Sequence, residues 1–535
     1  MTKYDILIRN AQIVDGTGQA AYTGDVGVIG ERIAWTGRGG EPATQPEETA
    51  RRVIDARGMV LSPGFVDMHG HSDYTLLIDH RAESKLRQGV TTEVVGNCGY
   101  SAAPMYSPLL EERKPEYEGL YGLALTWHSF PEYLTMVEAS APSLNYVFLI
   151  GHNTLRASCM GFGDQMPSSG QMARMEAWVD EALACGAFGL SSGLFYAPAC
   201  FAKKEELIGL ASRVSQAGGI LTTHIRNEGD GLLEALYEIL IIARESRVSL
   251  QISHLKTFGR ENWGKLDHAL ALIESVRQQG VDVTFDRYPY LAVQTSLQSL
   301  LPDWAQSGGS EAIVQRLSDP SVRRELIQQL LTRHPEEDYG ASIFISLVAG
   351  EAHKDREGLN LAQIADYQKV SWAEAALDLL RDERTQVEII QFAMSEHNLA
   401  RILQHPLAMI GSDSSSRAAT GPLRIGKPHP RAFGTFSRVI GEFWREKHIL
   451  TLEEAVRKMT ALPCQKLGIP DRGLIREGMT ADLVLFDPAC IADQATYQDP
   501  FRYPTGIRLV MINGRICLEE DGSILPGQGR VLRRR

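Results

Sequence analysis

Eight apolar or β-branched runs recur along the middle of the chain, and stretches with helical periodicity separate them. The runs are "PGFVDMHGH", "GVTTEVVGNCG", "NYVFLIGH", "GAFGLSSG", "GILTTHIRN", "VSLQISHLK", "VDVTFDRYPY" and "LAMIGSD". Between them lie helix candidates such as "SGQMARMEAWVDEALACG", "KEELIGLASRVSQAGG", "GLLEALYEILIIARESR" and "LDHALALIESVRQQG". Strands alternating with helices in this way specify an α/β fold, a (β/α)8 TIM-like barrel. Such a barrel presents its chemistry at the C-terminal ends of its strands.

The rhythm is interrupted from about 303 to 395, where "SVRRELIQQLLTRH" and "SWAEAALDLLRDERT" read as helices. This stretch is expected to be a helical insertion over the strand-seven loop, of a length typical of lids. Both ends of the chain differ from the middle. "DILIRNAQIVDGTG" alternates before an Asp-Gly turn, "DVGVIGERIAWTG" suggests a hairpin, and "GIRLVMINGRICLEEDG" contains an Asn-Gly turn. Neither end can hold a core alone, so the two are expected to pair into one small β-sandwich domain. The expected division is 1–62 and 471–535 for that domain and 63–470 for the barrel. A length of 535 residues suits a large core with appended pieces.

Bulk composition narrows the setting. Hydrophobic residues make up 44% and charged residues 22%, as in ordinary globular proteins. The 54 basic and 66 acidic side chains give a net charge of −12 with no long basic run, which argues against nucleic acid as a partner. The seven cysteines lack metal-finger spacing, which suggests a reducing compartment and free thiols. The charged, alternating N-terminus does not resemble a signal peptide, and no apolar run approaches the roughly 18 residues a membrane span needs. A cytoplasmic location without membrane association is expected. The oligomeric state is left open.

The strand ends carry the chemistry. His69 and His71 end strand one two residues apart, so their rings can face one point. With 14 histidines in the chain, one such pair is near chance. Cys98 ends strand two, His224 strand five, His254 strand six and Asp413 strand eight. Each alone has an ordinary reading: a core histidine, a small buried hydrophobe, or a helix cap in "SDSSS". Six possible ligands at the same end of successive strands are better explained by a metal site. Imidazole, thiolate and carboxylate together favour Zn²⁺ over Mg²⁺ or Ca²⁺. Because a thiolate can bridge two ions, one tight site with a second, weaker one is expected.

These residues, with the split β domain and "GLIREGMTADLVLFDP", resemble the amidohydrolase superfamily over essentially the whole chain. Many of its members use a carboxylated Lys at the end of strand four. Here that strand reads "GAFGLSSGLFYAP" without a Lys, and Cys98 is offered from strand two. Together with "GHNTLR", "THIRNEG", "SHLK", "YPY", "GSD" and "HPRAFGTFSRV", this pattern is similar to the D-aminoacylase (N-acyl-D-amino-acid deacylase) family. The resemblance implies zinc-dependent deacylation of N-acyl-D-amino acids, a small-molecule substrate. It implies that Cys98, His224 and His254 hold the tight Zn²⁺ and that His69 and His71, sharing Cys98, form the weaker site. It casts Asp413 as general base toward the attacking water and then as acid toward the leaving amine. The substrate α-carboxylate would be clamped by Arg431, with Lys256 and Tyr288 reaching the same group. Tyr196 would line the pocket, and His152 is expected to be structural.

"YPYLAVQTSLQSLLPDW" after strand seven holds no cation, so neutral or hydrophobic D-side chains are expected. Two alternatives compete. "GLSSG" at 189–193 matches a serine-hydrolase elbow, but a loop with Pro198 follows where that motif needs a helix. Cyclic-amide hydrolysis of the hydantoinase or dihydroorotase type shares the architecture but relies on the missing strand-four Lys.

Overall fold

The structure, a computed structural model, describes residues 4–38, 50–336 and 338–534. Eight parallel strands form the central sheet: Phe65–Asp67, Val90–Val95, Asn145–Gly151, Gly189–Gly193, Ile220–His224, Ser249–Ile252, Val283–Arg287 and Ala408–Ile410. Called strands one to eight here, they pair each with the next in this order. Strand eight returns to strand one, where Met68 N donates to Ile410 O at 3.3 Å and Asp413 N to His69 O at 2.7 Å. The barrel is thereby closed.

Alternation along the strands divides the side chains into two sets. Tyr146, Phe148 and Ile150 on strand three pack into the main core with helical residues such as Val179, Leu210, Ile239 and Ile273. Their neighbours Val147 and Leu149 join Val66, Met68, Val94 and Met409 in a second cluster, which fills the inside of the barrel. The helices lie where their periodicity predicts them: Ser169–Ala184, Lys204–Gln216, Leu232–Ser246 and Leu266–Gln278. Ser168 opens the first of these with a capping box to Gln171.

Strands from both termini build one further sheet. Val60–Pro63 pairs antiparallel with Leu483–Phe486, joining the N-terminal strands to Ile507–Ile512 and Arg515–Leu518. The sheet doubles over, since Arg32 bridges to Thr480 and a Cβ on Gly514 would meet Gly30 O at 1.9 Å. Ile8, Val26 and Ile33 from one end thus share a core with Leu483, Leu509 and Met511 from the other. The chain beyond 524 leaves this domain and runs under the barrel, where Tyr146 N donates to Arg530 O and Leu532 N to Tyr146 O.

The insertion is not wholly helical, which corrects the sequence-based expectation. Helices Gly309–Ser318, Pro320–Arg333, Leu361–Gln368 and Trp372–Asp382 are present. They cover a three-stranded antiparallel sheet of Ala292–Ser296, Val387–Phe392 and Ile343–Val348, with Val387–Phe392 in the centre. The short β-branched runs "IFISLV" and "VEIIQF" lie between strongly amphipathic helices, and the helical signal masks them. This unit has its own core around Leu297, Leu326, Ile345, Leu377 and Ile389. Among the described residues no helix is long and apolar enough to cross a membrane.

Candidate active site

Each sequence-predicted ligand ends a barrel strand or lies just beyond one, so the loops gather at one mouth. His69, Cys98, His254 and Asp413 offer donor atoms that all lie within 4.8 Å of one another. Cys98 Sγ is 3.2 Å from His69 Nε2 and 3.6 Å from His254 Nε2. Asp413 Oδ1 is 3.5 Å from His69 Nε2 and 3.1 Å from His71 Nε2. His224 stands against His254 with ring centroids 4.4 Å apart. Among the described residues neither buried His224 nitrogen has a hydrogen-bond partner. Buried polar atoms are nearly always satisfied, so this ring is shaped for something beyond the protein's own atoms.

The backbone is strained where these ligands sit. Cys98, His254 and Asp413 have φ values of 52°, 35° and 50°, a left-handed region that costs a non-glycine residue about 1–3 kcal/mol. Their surroundings hold them there: His254 N donates to Asp286 Oδ1 at 2.9 Å, and Asp413 N to His69 O. Strand eight also approaches strand one closely, since a Cβ on Gly411 would meet His69 Cβ at 2.5 Å.

Two carboxylates that sequence reasoning did not single out orient the imidazoles. Asp286 Oδ1 is 3.2 Å from His69 Nδ1, leaving Nε2 to face Cys98. Glu228 Oε1 is 2.9 Å from His254 Nδ1 and 2.5 Å from Lys256 Nζ, so Nε2 of His254 also turns toward the thiol. Fixing one ring nitrogen to present the other is how metal-binding imidazoles are commonly held. Signals for both exist in retrospect. Asp286 is an acid within the buried run "VTFDR", and Glu228 lies one helical turn's count beyond His224 in "THIRNEG".

The charges support one another. Burial pushes the Cys98 thiol up, but the positive charge of His69 and the hydrogen bonds of His254 and His69 outweigh it and hold the thiol well below its usual range. Burial likewise raises the Asp413 carboxyl, and Arg431, His254 and His69 more than reverse that, keeping it ionised. For His224 burial prevails and favours the neutral ring. A thiolate, a carboxylate and a neutral imidazole are the forms in which these groups bind a cation.

Below this cluster the wholly buried Lys85 Nζ reaches Asp67 Oδ2 at 2.6 Å, Ser412 Oγ at 2.7 Å, Ser414 O at 2.8 Å and Glu93 Oε1 at 3.2 Å. It ties the ends of strands one, two and eight together under the ligands.

A cavity of about 860 Å³ opens above them, with Arg431, Lys256, Tyr288 and Tyr196 in its walls. Arg431 Nη1 donates to Asp413 Oδ2 at 2.8 Å. The Tyr288 ring lies between two guanidinium groups, Arg287 at 4.2 Å and Arg431 at 4.7 Å, and its hydroxyl is buried without a partner. Lys256 is engaged by Glu228, and the Tyr196 hydroxyl is 3.1 Å from Thr295 Oγ1. His152 stands apart in a buried cluster, with Nε2 2.7 Å from Glu206 Oε1 and Arg156 on the same carboxylate. Ser191 Oγ donates to Gly96 O and accepts from Gly99 N, a structural tie between strands two and four.

With this geometry, comparison with known proteins is decisive. The family model described as "Amidohydrolase family" matches residues 52–261 and 333–518. The chain belongs to the amidohydrolase family. It is 35% identical over 533 residues to an N-acyl-D-glutamate deacylase of Alcaligenes xylosoxydans xylosoxydans, covering 99% of this chain and 97% of that one. A D-aminoacylase of the same organism is 34% identical over 538 residues, 99% and 98% of the two chains. Among solved structures, an N-acyl-D-glutamate deacylase from Bordetella bronchiseptica, complexed with zinc and a phosphonate mimic of the tetrahedral intermediate, superposes with a TM-score of 0.82. Its identity is 34%, and 99% and 100% of the two chains are covered. A D-hydantoinase, 14% identical with a TM-score of 0.56 over 99% of each chain, shares the fold alone.

Proposed function

We propose that this amidohydrolase removes the acyl group from N-acyl-D-amino acids in a zinc-dependent reaction, releasing a D-amino acid and a carboxylate. The observation that carries the reading is the donor set. Cys98 shares one cluster with the imidazoles of His69 and His254 and the carboxylate of Asp413, His224 stands against His254 beside it, and strand four contributes only Gly, Leu and Ser. The orphaned nitrogens of His224 and the sulfur-nitrogen character of the set fit Zn²⁺, with Cys98, His224 and His254 as the tight site and His69 and His71 as the weaker one. When bound, Zn²⁺ supplies Lewis acidity and brings the pKa of a coordinated water down to about 7.

The chain's own residues do the rest. Asp413, held ionised, accepts the proton of the attacking water and returns it to the leaving amine. Arg431 and the unpartnered Tyr288 hydroxyl hold the substrate α-carboxylate beside Asp413, fixing the scissile amide relative to the base. Lys256 supports that clamp and, with Glu228, keeps His254 turned inward. Tyr196 walls the acyl side against His224, their rings 4.9 Å apart.

The relatives named above as an N-acyl-D-glutamate deacylase and a D-aminoacylase support this reading. The cyclic-amide alternative gains nothing from the site, because strand four offers no lysine. The test is amine release from N-acetyl-D-methionine, N-acetyl-D-glutamate and their L enantiomers by the zinc-loaded protein. Turnover of D substrates alone is expected; equal turnover of both hands, or none, overturns the proposal.

A further inference from the structure

The loop after strand eight places a further cation in the cavity besides Arg431 and Lys256, and its surroundings are unusual. Arg417, four residues beyond Asp413, is only 7% exposed and lines the same cavity. Its Nε is buried without a hydrogen-bond partner. The guanidinium's one hydrogen bond among the described residues is a long contact of 3.4 Å from Nη1 to the Tyr121 hydroxyl. Among the described residues no carboxylate oxygen lies within the 4.0 Å of an ion pair. Among the acids of the cavity wall, Glu388 acts on Arg417 through its charge but without an ion-pair contact, and it already accepts from Gln294 Nε2 at 2.5 Å, while Glu116 accepts from Arg113 Nη1 at 3.2 Å. Buried arginines are almost always paired, and an unpaired buried charge is among the costliest features a fold can keep.

The backbone holds this side chain firmly. Arg417 N donates to Ser84 Oγ at 2.9 Å, and its carbonyl accepts from Ser84 N at 3.1 Å. Ser416 N donates to Ser72 Oγ at 2.8 Å, anchoring the loop beside strand one. Tyr121 belongs to an aromatic row, Tyr121 against Tyr117 at 6.0 Å and Tyr117 stacked on Tyr74 at 3.8 Å. A fixed guanidinium with free donors, backed by a phenol, matches a carboxylate.

We propose that Arg417, backed by the Tyr121 hydroxyl, is a second carboxylate-binding subsite, separate from Arg431, and that the substrate carries two carboxylates. This rests on the deacylase reading and names its substrate class: an N-acyl-D-amino acid with an acidic side chain or an acidic acyl group. It departs from the neutral preference expected from the strand-seven loop. That loop does lack a cation, but the cavity receives one from the loop after strand eight.

The experiment compares kcat/KM of the zinc-loaded full chain for N-acetyl-D-glutamate, N-succinyl-D-methionine and N-acetyl-D-methionine, in wild type, Arg417→Gln and Arg417→Lys. One of the two dianionic substrates is expected to lead the monoanion by roughly 10- to 100-fold, and Arg417→Gln to collapse that ratio. Which one leads identifies the source of the second carboxylate. Arg417→Lys, which keeps the charge and loses the planar fork, falls between. Preference for N-acetyl-D-methionine in wild type, or a ratio unmoved by Arg417→Gln, overturns the subsite while leaving the deacylase reading intact. If none of the three is turned over, the deacylase reading fails. Calorimetric binding of N-acetyl-D-glutamate, weaker by the same factor in Arg417→Gln, then decides the subsite, and absence of binding overturns it.

Discussion

Asp413 is held by Arg431 on one oxygen and His71 on the other, yet it must exchange a proton. The same contacts that keep it ionised aim it at the centre of the ligand cluster. Asp413→Asn preserves the shape and removes the base, so kcat is expected to fall by roughly 10²–10⁴-fold with the circular dichroism unchanged. Retention of wild-type kcat would remove Asp413 from the proton transfer. Asp286 acts at one remove, through His69 Nδ1. Asp286→Asn is expected to weaken metal binding by roughly 10–100-fold in a chelator competition, and an unchanged affinity would leave it a purely structural role. The side chains that the fold gathers at the mouth were legible in the sequence because each sits where a strand run ends. Asp286, Glu228 and Arg417 were not. An orienting acid or a buried cation has no spacing rule, and its role appears only when a distant loop meets it.

Among the elements, the barrel strands announce themselves through apolar runs bounded by glycine, and their C-terminal ends can be read directly. The insertion's sheet could not be. Its three strands pair across long helical stretches, Ala292 with Phe392 and Ile343 with Gln391, and no local period records that. Lys85 shows how the strand ends are held together. Lys85→Met leaves Asp67 and Glu93 buried without their cation and is expected to cost about 3–5 kcal/mol, read from chemical denaturation. A loss below about 1 kcal/mol, as for a surface pair, would mean that the two acids are not held by Lys85. In the insertion, His334 stacks on Tyr339 at 3.8 Å. Burial, then the charge of Arg333, lowers its pKa from 6.5 to about 4. The unfolded chain takes up this proton first, so the stability the neutral ring contributes is whole above pH 6.5 and is lost as pH falls toward 4. Melting of the wild type is expected to drop more steeply over that window than melting of His334→Phe. Parallel profiles would show that His334 does not titrate with unfolding.

At the scale of the molecule, three bodies are joined, and two of them line one mouth. The barrel supplies the ligands, the two-ended β domain joins the chain's extremities beside it, and the insertion roofs the cavity with residues such as Glu388, Gln391 and His334. Pairing of the termini was foreseeable because neither end could bury a core alone, whereas the return of the last residues beneath strand three has no sequence signature. On the function proposed above, a metal site that includes the Cys98 sulfur drives D-specific deacylation. The most direct measurement titrates metal-depleted protein with Zn²⁺ and reads metal content and amine release from N-acyl-D-amino acids in the same samples, for wild type and Cys98→Ala. No activity is expected without metal, with D-specific activity rising with the first bound equivalent and both tight binding and turnover lost in Cys98→Ala. Full activity in the metal-free protein, or a Cys98→Ala variant that binds zinc and turns over like wild type, would contradict the proposed function.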